Sequence, residues 1–345
     1  LKKWLQWVAA LVILAVLFWV FRDELDFLQD GFRRLRTADS FAVGLVIIAS
    51  LGAIVAMAEV MRVLIRAGGV PVPLKEAIAI TLASNAWSTT LPAGPAFSAI
   101  LTFHVQRGWG ASVALAGWFF VLSSAVSTMW LVLIGLGGVV FLNAQMQVLS
   151  LLLTLLAVVA LCGLVFWISN HPRTIERWLS RQKFLRGGKR DALIKQVRNL
   201  SEVHLNRWQF AQVAGYSLAN RLLDMASLWA CVWAITGDIP ALHAGEDQTT
   251  LAGVALAYLT AKLAGSAQVT PAGLGTVEAA IIATLVATGL TAIDATGAAV
   301  IYRLISFALI TVIGWVVYFW HYARNGLTYA ALNRKEHADA SRTAA

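Results

Sequence analysis

The chain has 345 residues, of which 59% are hydrophobic and 13% charged, with a formal net charge of +9. A soluble domain carries about 25% charge, so the composition excludes a soluble enzyme and makes lipid the expected solvent. Two cysteines, Cys162 and Cys231, each inside an apolar run, form no metal or disulfide pattern, and the positive charge lies between apolar segments, as at a membrane surface rather than a nucleic-acid patch.

The chain opens at Leu1, which reads as a trimmed start, followed by Lys2-Lys3 and an apolar run with no small-residue cleavage site. A retained first span is expected over 4–21. Residues 22–40 set Arg33, Arg34 and Arg36 against Asp23, Glu24, Asp26 and Asp30, an interfacial amphipathic pattern. Further spans are expected at 41–64, 111–141, 147–169, 208–236 and 297–322, each long enough to cross ~30 Å of hydrocarbon as a helix. The run 149–168 lacks the alternation of a barrel strand.

Two more apolar stretches, 76–105 and 251–290, are interrupted at Leu91-Pro92-Ala93-Gly94-Pro95 and at Thr270-Pro271-Ala272-Gly273-Leu274-Gly275. Proline removes a backbone donor and clashes with the preceding turn, and glycine adds backbone freedom. Both stretches are expected to be re-entrant hairpins of two half-helices.

The segment 171–207 holds ten Lys/Arg against three Asp/Glu, whereas 237–250 has Asp238, Glu246 and Asp247 and no Lys/Arg. The positive-inside rule makes the first cytoplasmic and the second external. With six spans and two hairpins, both termini and Arg62, Arg66, Lys75, Arg107 and Arg324 then also fall inside. The first hairpin enters from the cytoplasm and the second from outside. Aligning their tips superposes Thr81 on Thr260. Broken segments in two halves of opposite orientation mark an inverted-repeat transporter with its site near the midplane. The expected fold is therefore an all-α polytopic membrane protein. It divides into a first half (1–169), a basic loop (170–207), a second half (208–325) and a polar tail (326–345).

After Pro271 a new helix is expected, with Thr270 as N-cap and proline in its first turn. Its free N–H groups and dipole would favour an anion, and Gly273 and Gly275 would admit one close to the backbone, beside Thr276. Glu278 is an acid in an apolar helix, costing roughly 2.5–3.5 kcal/mol on insertion scales. It is expected either to couple protons or organise a cation, or to complement the helix dipole. Arg221 and Asp224, three residues apart, read as an intrahelical pair and as candidate ligands. Lys262, Arg221 and Arg303 would converge on the tip, with snorkelling the alternative for Arg303. Arginine forks onto phosphate oxygens, and lysine acts as a point charge. In the first half Asn85, Ser88, Thr89 and Thr90 precede Pro92, and Gly94, Ser98 and His104 follow it. They either line a polar path or bond their own helix. Glu59 and Arg62 read as a local pair. No metal or cofactor is expected. The basic loop, with Trp178 and Phe184 between its cations, suits anionic lipid head groups.

The stretch Pro271-Ala-Gly-Leu-Gly-Thr-Val-Glu278-Ala279 resembles the Pro-Gly-Gly-Leu-Gly-Val-x-Glu-Ala signature of the lysylphosphatidylglycerol synthase transmembrane-domain family. That family includes the flippase half of the bacterial multiple peptide resistance factor. Asn220-Arg221-Leu-Leu-Asp224, Arg303 and the run Asn85…Pro92-x-Gly94 followed by Gly108-Trp-Gly-Ala-Ser112 are similar to its pattern, over about residues 5–325. Ala93 stands where the family usually has arginine, and Ser123, Ser124 and Ser127 stand where an acid is common. The departures point to a head group other than an aminoacylated lipid. The resemblance implies a non-enzymatic lipid flippase or transporter, without a synthase domain, in the bacterial cytoplasmic membrane. Its partners would be anionic phospholipids, glycolipids or polyprenyl-phosphate-linked lipids, with a homo-oligomer or a lipid-synthesis enzyme as a further partner. An intramembrane lipid-modifying transferase and a scaffold for a glycosyltransferase are the alternatives.

Overall fold

A computed structural model describes residues 36–91, 93–142, 156, 160, 205–266 and 273–323. The spans expected at 4–21 and 147–169, most of the basic loop, the tail, Pro92, Thr270 and Pro271 lie outside the described residues. Among the described residues stand eight helices and no strand. They are α1 (Ser40–Ala67), α2 (Leu74–Thr90), α3 (Gly94–Gly108), α4 (Val113–Leu142), α5 (Arg207–Thr236), α6 (Leu251–Ser266), α7 (Thr276–Ala287) and α8 (Ala292–Tyr322).

Helices α1, α4 and α8 are long and apolar enough to cross a bilayer. Helix α5 has 30 residues, about 45 Å at 1.5 Å per residue, but carries Arg221 and Asp224 near its middle. Helices α2, α3, α6 and α7, of 17, 15, 16 and 12 residues, reach only about 18–25 Å.

The long helices are apolar outside and small inside. In α1 the buried positions include Ala42, Ala49, Ala53 and Ala56, while Ile48, Leu51 and Val55 are exposed. A chain in water does the reverse. In lipid, large apolar side chains need no burial, and small ones let backbones approach. Helix α1 pairs with α5 in antiparallel fashion. The Asp39 amide donates to the Ala234 carbonyl at 2.9 Å, and Asn220 Nδ2 donates to the Ala53 carbonyl at 2.8 Å. The Asp39 carboxylate also caps α1 by accepting from the Ala42 amide at 2.8 Å. Gly314 of α8 lies so close to α2 that a Cβ there would come within 2.3 Å of the Leu82 carbonyl.

Two apolar cores result. One gathers α2, α3, the end of α1, the starts of α4 and α5, and the end of α8, around Leu64, Ile80, Leu101, Leu115 and Tyr318. The other gathers α6, α7, the end of α5 and the start of α8, around Cys231, Tyr258, Ile281 and Ile301. The α2–α3 hairpin opens at the end holding Arg62, Arg66, Lys75, Arg107 and Arg207, where Arg66 Nε donates to the Val72 carbonyl and Arg107 Nη1 to the Ala111 carbonyl. The α6–α7 hairpin opens at the opposite end, with Asp39, Asp238, Glu246, Asp247 and Asp294, where Thr249 and Thr288 share a hydrogen bond at 2.8 Å. Both expected breaks are thus present, and the hairpins point at each other from opposite ends.

Helix α7 starts later than expected. Its N-cap is Gly275, not Thr270, and its first regular residue is Thr276. Gly273 (φ 68°) and Gly275 (φ 77°) hold left-handed backbone that a right-handed helix cannot contain, so the motif's glycines delay the helix. Helix α8 loosens into π turns at Arg303–Leu309 and Tyr318–Tyr322. Such widened turns are frequent at functional sites.

Candidate functional site: a polar cavity between two broken hairpins

A cavity of about 870 Å³ separates the two hairpin tips. Leu91, Ala93 and Gly94 line it from the first hairpin, and Gly265, Ser266 and Gly273 from the second. Helices α1, α4, α5 and α8 supply the remaining walls. Ala93 sits in left-handed backbone (φ 54°) at the N-cap of α3. Gly94 presses on the end of α2, where a Cβ would stand 2.1 Å from the Ser88 carbonyl. Left-handed backbone in a residue other than glycine costs on the order of 1 kcal/mol and concentrates at functional positions.

The second hairpin, α5 and α8 bring five charged groups together. Asp224 Oδ2 accepts from Lys262 Nζ at 2.5 Å and from the Tyr258 hydroxyl at 3.3 Å, while Oδ1 accepts from the Tyr302 hydroxyl at 2.9 Å. Lys262 also lies 5.1 Å from the Tyr258 ring centroid. Arg303 Nε donates to Glu278 Oε1 at 2.5 Å, and its guanidinium lies 4.2 Å from the Phe307 ring centroid. Both partners are buried, 7% exposed for Arg303 and 9% for Glu278, so Arg303 does not snorkel. A buried arginine is tolerable here because a carboxylate compensates its charge.

Arg221 is different. The expected intrahelical pair with Asp224 does not form, because Asp224 faces Lys262 and the tyrosines. Arg221 Nη2 instead donates to Ser127 Oγ on α4 at 2.5 Å, and its buried Nε has no partner among the described residues. Among the described residues the three cations Lys262, Arg303 and Arg221 meet two carboxylates, Asp224 and Glu278, which leaves one positive charge in excess, at Arg221. In surroundings of low polarity a guanidinium met by the hydroxyls of Ser127 and Tyr258, with Asp224 nearby but bonded to Lys262, attracts an anion.

The first hairpin faces this charged wall with neutral groups. Asn85, Ser88 and Thr89 line the cavity. The Thr89 hydroxyl bonds the carbonyls of Asn85 and Ala86, at 2.9 and 3.1 Å, and the Thr311 hydroxyl at 3.0 Å. Thr90 bonds the Ala86 carbonyl and accepts from Trp315 Nε1 at 3.2 Å. Ser98 and His104 bond carbonyls of their own helix. Of the expected site residues, Asn85, Gly94, Arg221, Asp224, Lys262, Gly273 and Arg303 line one cavity. Gly275, Thr276 and Glu278 stand behind it at the start of α7, and Glu278 reaches the site only through Arg303. Glu59 and Arg62 form the local pair expected of them, at 2.6 Å.

Sequence reading missed Ser50, Tyr258 and Tyr302, and singled out Ser127 only together with Ser123 and Ser124, at positions where the family commonly has an acid. Tyr258 lies four residues before Lys262, so the two share a helix face, and Tyr302 adjoins Arg303. A tyrosine beside a charge in an apolar run was the available signal. Nothing in the sequence distinguishes Ser127 from the other serines of α4.

The family model described as Lysylphosphatidylglycerol synthase TM region matches residues 7–314. No curated protein matches the chain.

Proposed function

The chain belongs to the lysylphosphatidylglycerol synthase TM region family, and from that membership and the cavity we propose that it is a lipid flippase. The proposed substrate is a phospholipid, glycolipid or polyprenyl-phosphate-linked lipid with an anionic head group, moved across the bacterial cytoplasmic membrane. The reading rests above all on Arg221, a cation with no carboxylate bonded to it among the described residues, inside a cavity where two broken hairpins meet.

In this proposal the hairpins re-enter the bilayer from opposite faces as parts of an inverted repeat, and the basic end faces the cytoplasm. The head group enters between the halves and its phosphate takes the free donors of Arg221 in place of water. Lys262 and Arg303 lie nearby but are held by Asp224 and Glu278, so they shape the field without capturing the anion. Release follows when the hairpins rearrange and the cavity faces the other leaflet. The protein acts as a carrier and breaks no bond in the lipid.

The test uses proteoliposomes containing phosphatidylglycerol, with periodate added outside to oxidise every head group that reaches the outer leaflet. Losing a charge-assisted hydrogen bond predicts that Arg221→Gln slows translocation about tenfold or more. A wild-type rate in that variant removes the site from the hypothesis. Lipid analysis of a deletion strain separates carrier from transferase. Altered sidedness with unchanged lipid species supports the carrier, and loss of a species supports the transferase.

A further inference from the structure

The two walls of the cavity differ in chemistry, and the difference specifies a ligand. The charged wall belongs to α5, α6 and α8. The facing wall, from α2, carries two neutral polar side chains that bond no other described residue. These are the Asn85 amide and the Ser88 hydroxyl. Buried polar groups are normally paired, and one left unpaired costs stability. Their neighbours show what pairing looks like here. The Thr89, Thr128 and Ser306 hydroxyls each satisfy a carbonyl of their own helix. Asn85 and Ser88, both half-buried, are instead left open to the cavity they line. Each can both donate and accept, as a ligand hydroxyl also can.

We infer that the cavity takes a lipid whose phosphate is esterified to an uncharged, hydroxyl-rich head group: a glycerol, an inositol or a sugar. The phosphate lies at Arg221, and the head-group hydroxyls lie at Asn85 and Ser88. This inference rests on the reading of the same cavity as a lipid site. A volume of about 870 Å³ lies within the ~300–1,000 Å³ of sites that enclose drug-sized ligands, and far exceeds what a bare phosphate needs. A head group with an added ammonium fits poorly. Asp224, the carboxylate lining the cavity among the described residues, is already bonded by Lys262, and Glu278 lies buried behind the wall against Arg303, so neither is open to a second cation.

The test is binding to the purified full chain in detergent, titrated with dihexanoyl phospholipids that differ only in head group. These are phosphatidic acid, phosphatidylglycerol, phosphatidylinositol, phosphatidylethanolamine and lysyl-phosphatidylglycerol. Two or three added hydrogen bonds should make phosphatidylglycerol and phosphatidylinositol bind about 10-fold tighter than phosphatidic acid. Phosphatidylethanolamine and lysyl-phosphatidylglycerol should bind weakest. Ser88→Ala and Asn85→Ala should each remove about 3- to 10-fold of the glycerol and inositol preference while leaving phosphatidic acid affinity unchanged. Ser88→Ala, the smaller change, carries the readout alone should Asn85→Ala not fold. Glycerol 3-phosphate as a soluble competitor separates a lipid site from a site for free phosphate esters. Competition at equal concentration would assign the latter.

Equal affinity across head groups, or lysyl-phosphatidylglycerol binding as tightly as phosphatidylglycerol, overturns the inference. So do variants that weaken all lipids alike. If the preference is found but no lipid crosses the vesicle membrane, the flippase reading fails and the head-group assignment stands. If translocation is rapid but indifferent to the head group, the reverse holds.

Discussion

Replacing Glu278 by glutamine keeps the size and polarity of the side chain but removes the only carboxylate bonded to Arg303 among the described residues. At about 4 Å between charge centres and an effective dielectric constant near 20, the lost attraction is about 4 kcal/mol. That agrees with the ~3–5 kcal/mol typical of breaking a buried pair from one side. Little solvent screening reduces it, because the two side chains are only 8% and 12% exposed. Glu278→Gln should therefore destabilise the protein by about 3–5 kcal/mol, and Arg303→Met by a similar amount. The double variant Glu278→Leu/Arg303→Met leaves no stranded charge and should lose far less than the sum, within about 2 kcal/mol of wild type. The assay is equilibrium unfolding in detergent micelles, run as a double-mutant cycle. Additive losses, or a Glu278→Gln protein as stable as wild type, would show that Arg303 does not depend on this carboxylate.

Ala93→Gly should stabilise the fold by about 1 kcal/mol in the same unfolding assay, because glycine adopts φ 54° without the Cβ conflict. Gly314→Val should destabilise it by about 2–3 kcal/mol or prevent folding, since even a Cβ meets the Leu82 carbonyl at 2.3 Å, and Gly44→Ala, with open space around it, should not. Asp224→Asn strands Lys262 and removes the charge that the Tyr258 and Tyr302 hydroxyls bond, so it should cost about 2–4 kcal/mol. Adding Lys262→Met should recover most of that loss.

The two breaks were legible because proline and glycine act locally. Pro92, Gly94, Pro271 and Gly273 interrupt a helix whatever surrounds them. Three long spans, α1, α4 and α8, were legible because lipid demands length and apolarity and little else. The pairing of charges was not. Arg221 and Asp224 sit three apart, and a sequence offers that neighbour first. The lysine that actually reaches Asp224 stands on another helix, 38 positions along the chain, and only the packing of α6 against α5 brings it there. The helix start was misjudged at Thr270 because the capping rule is sound for ordinary backbone, whereas Gly273 and Gly275 are left-handed.

The distribution of bonds around the cavity bears on what can move, if the proposed halves are the moving parts. Both ion pairs of the site, Asp224–Lys262 and Glu278–Arg303, lie inside the second half. The described ties that cross to the first half near the cavity are neutral, or a cation on a hydroxyl: Arg221 to Ser127, Asn220 to the Ala53 carbonyl, Thr89 to Thr311, and Trp315 to Thr90. The crossing contact between ionisable groups among the described residues, His321 to Glu76, is a third or more exposed and so worth at most about 1 kcal/mol. Parting the halves would break bonds worth about 0.5–1.5 kcal/mol each, or up to ~3 for the arginine. Breaking either ion pair within a half would cost about 3–5. The easier motion is thus between halves. A disulfide across the seam, from Thr89→Cys and Thr311→Cys, whose hydroxyls lie 3.0 Å apart, should arrest lipid translocation, and a reductant should restore it. Full translocation with that bond closed would mean that the halves do not separate along this seam.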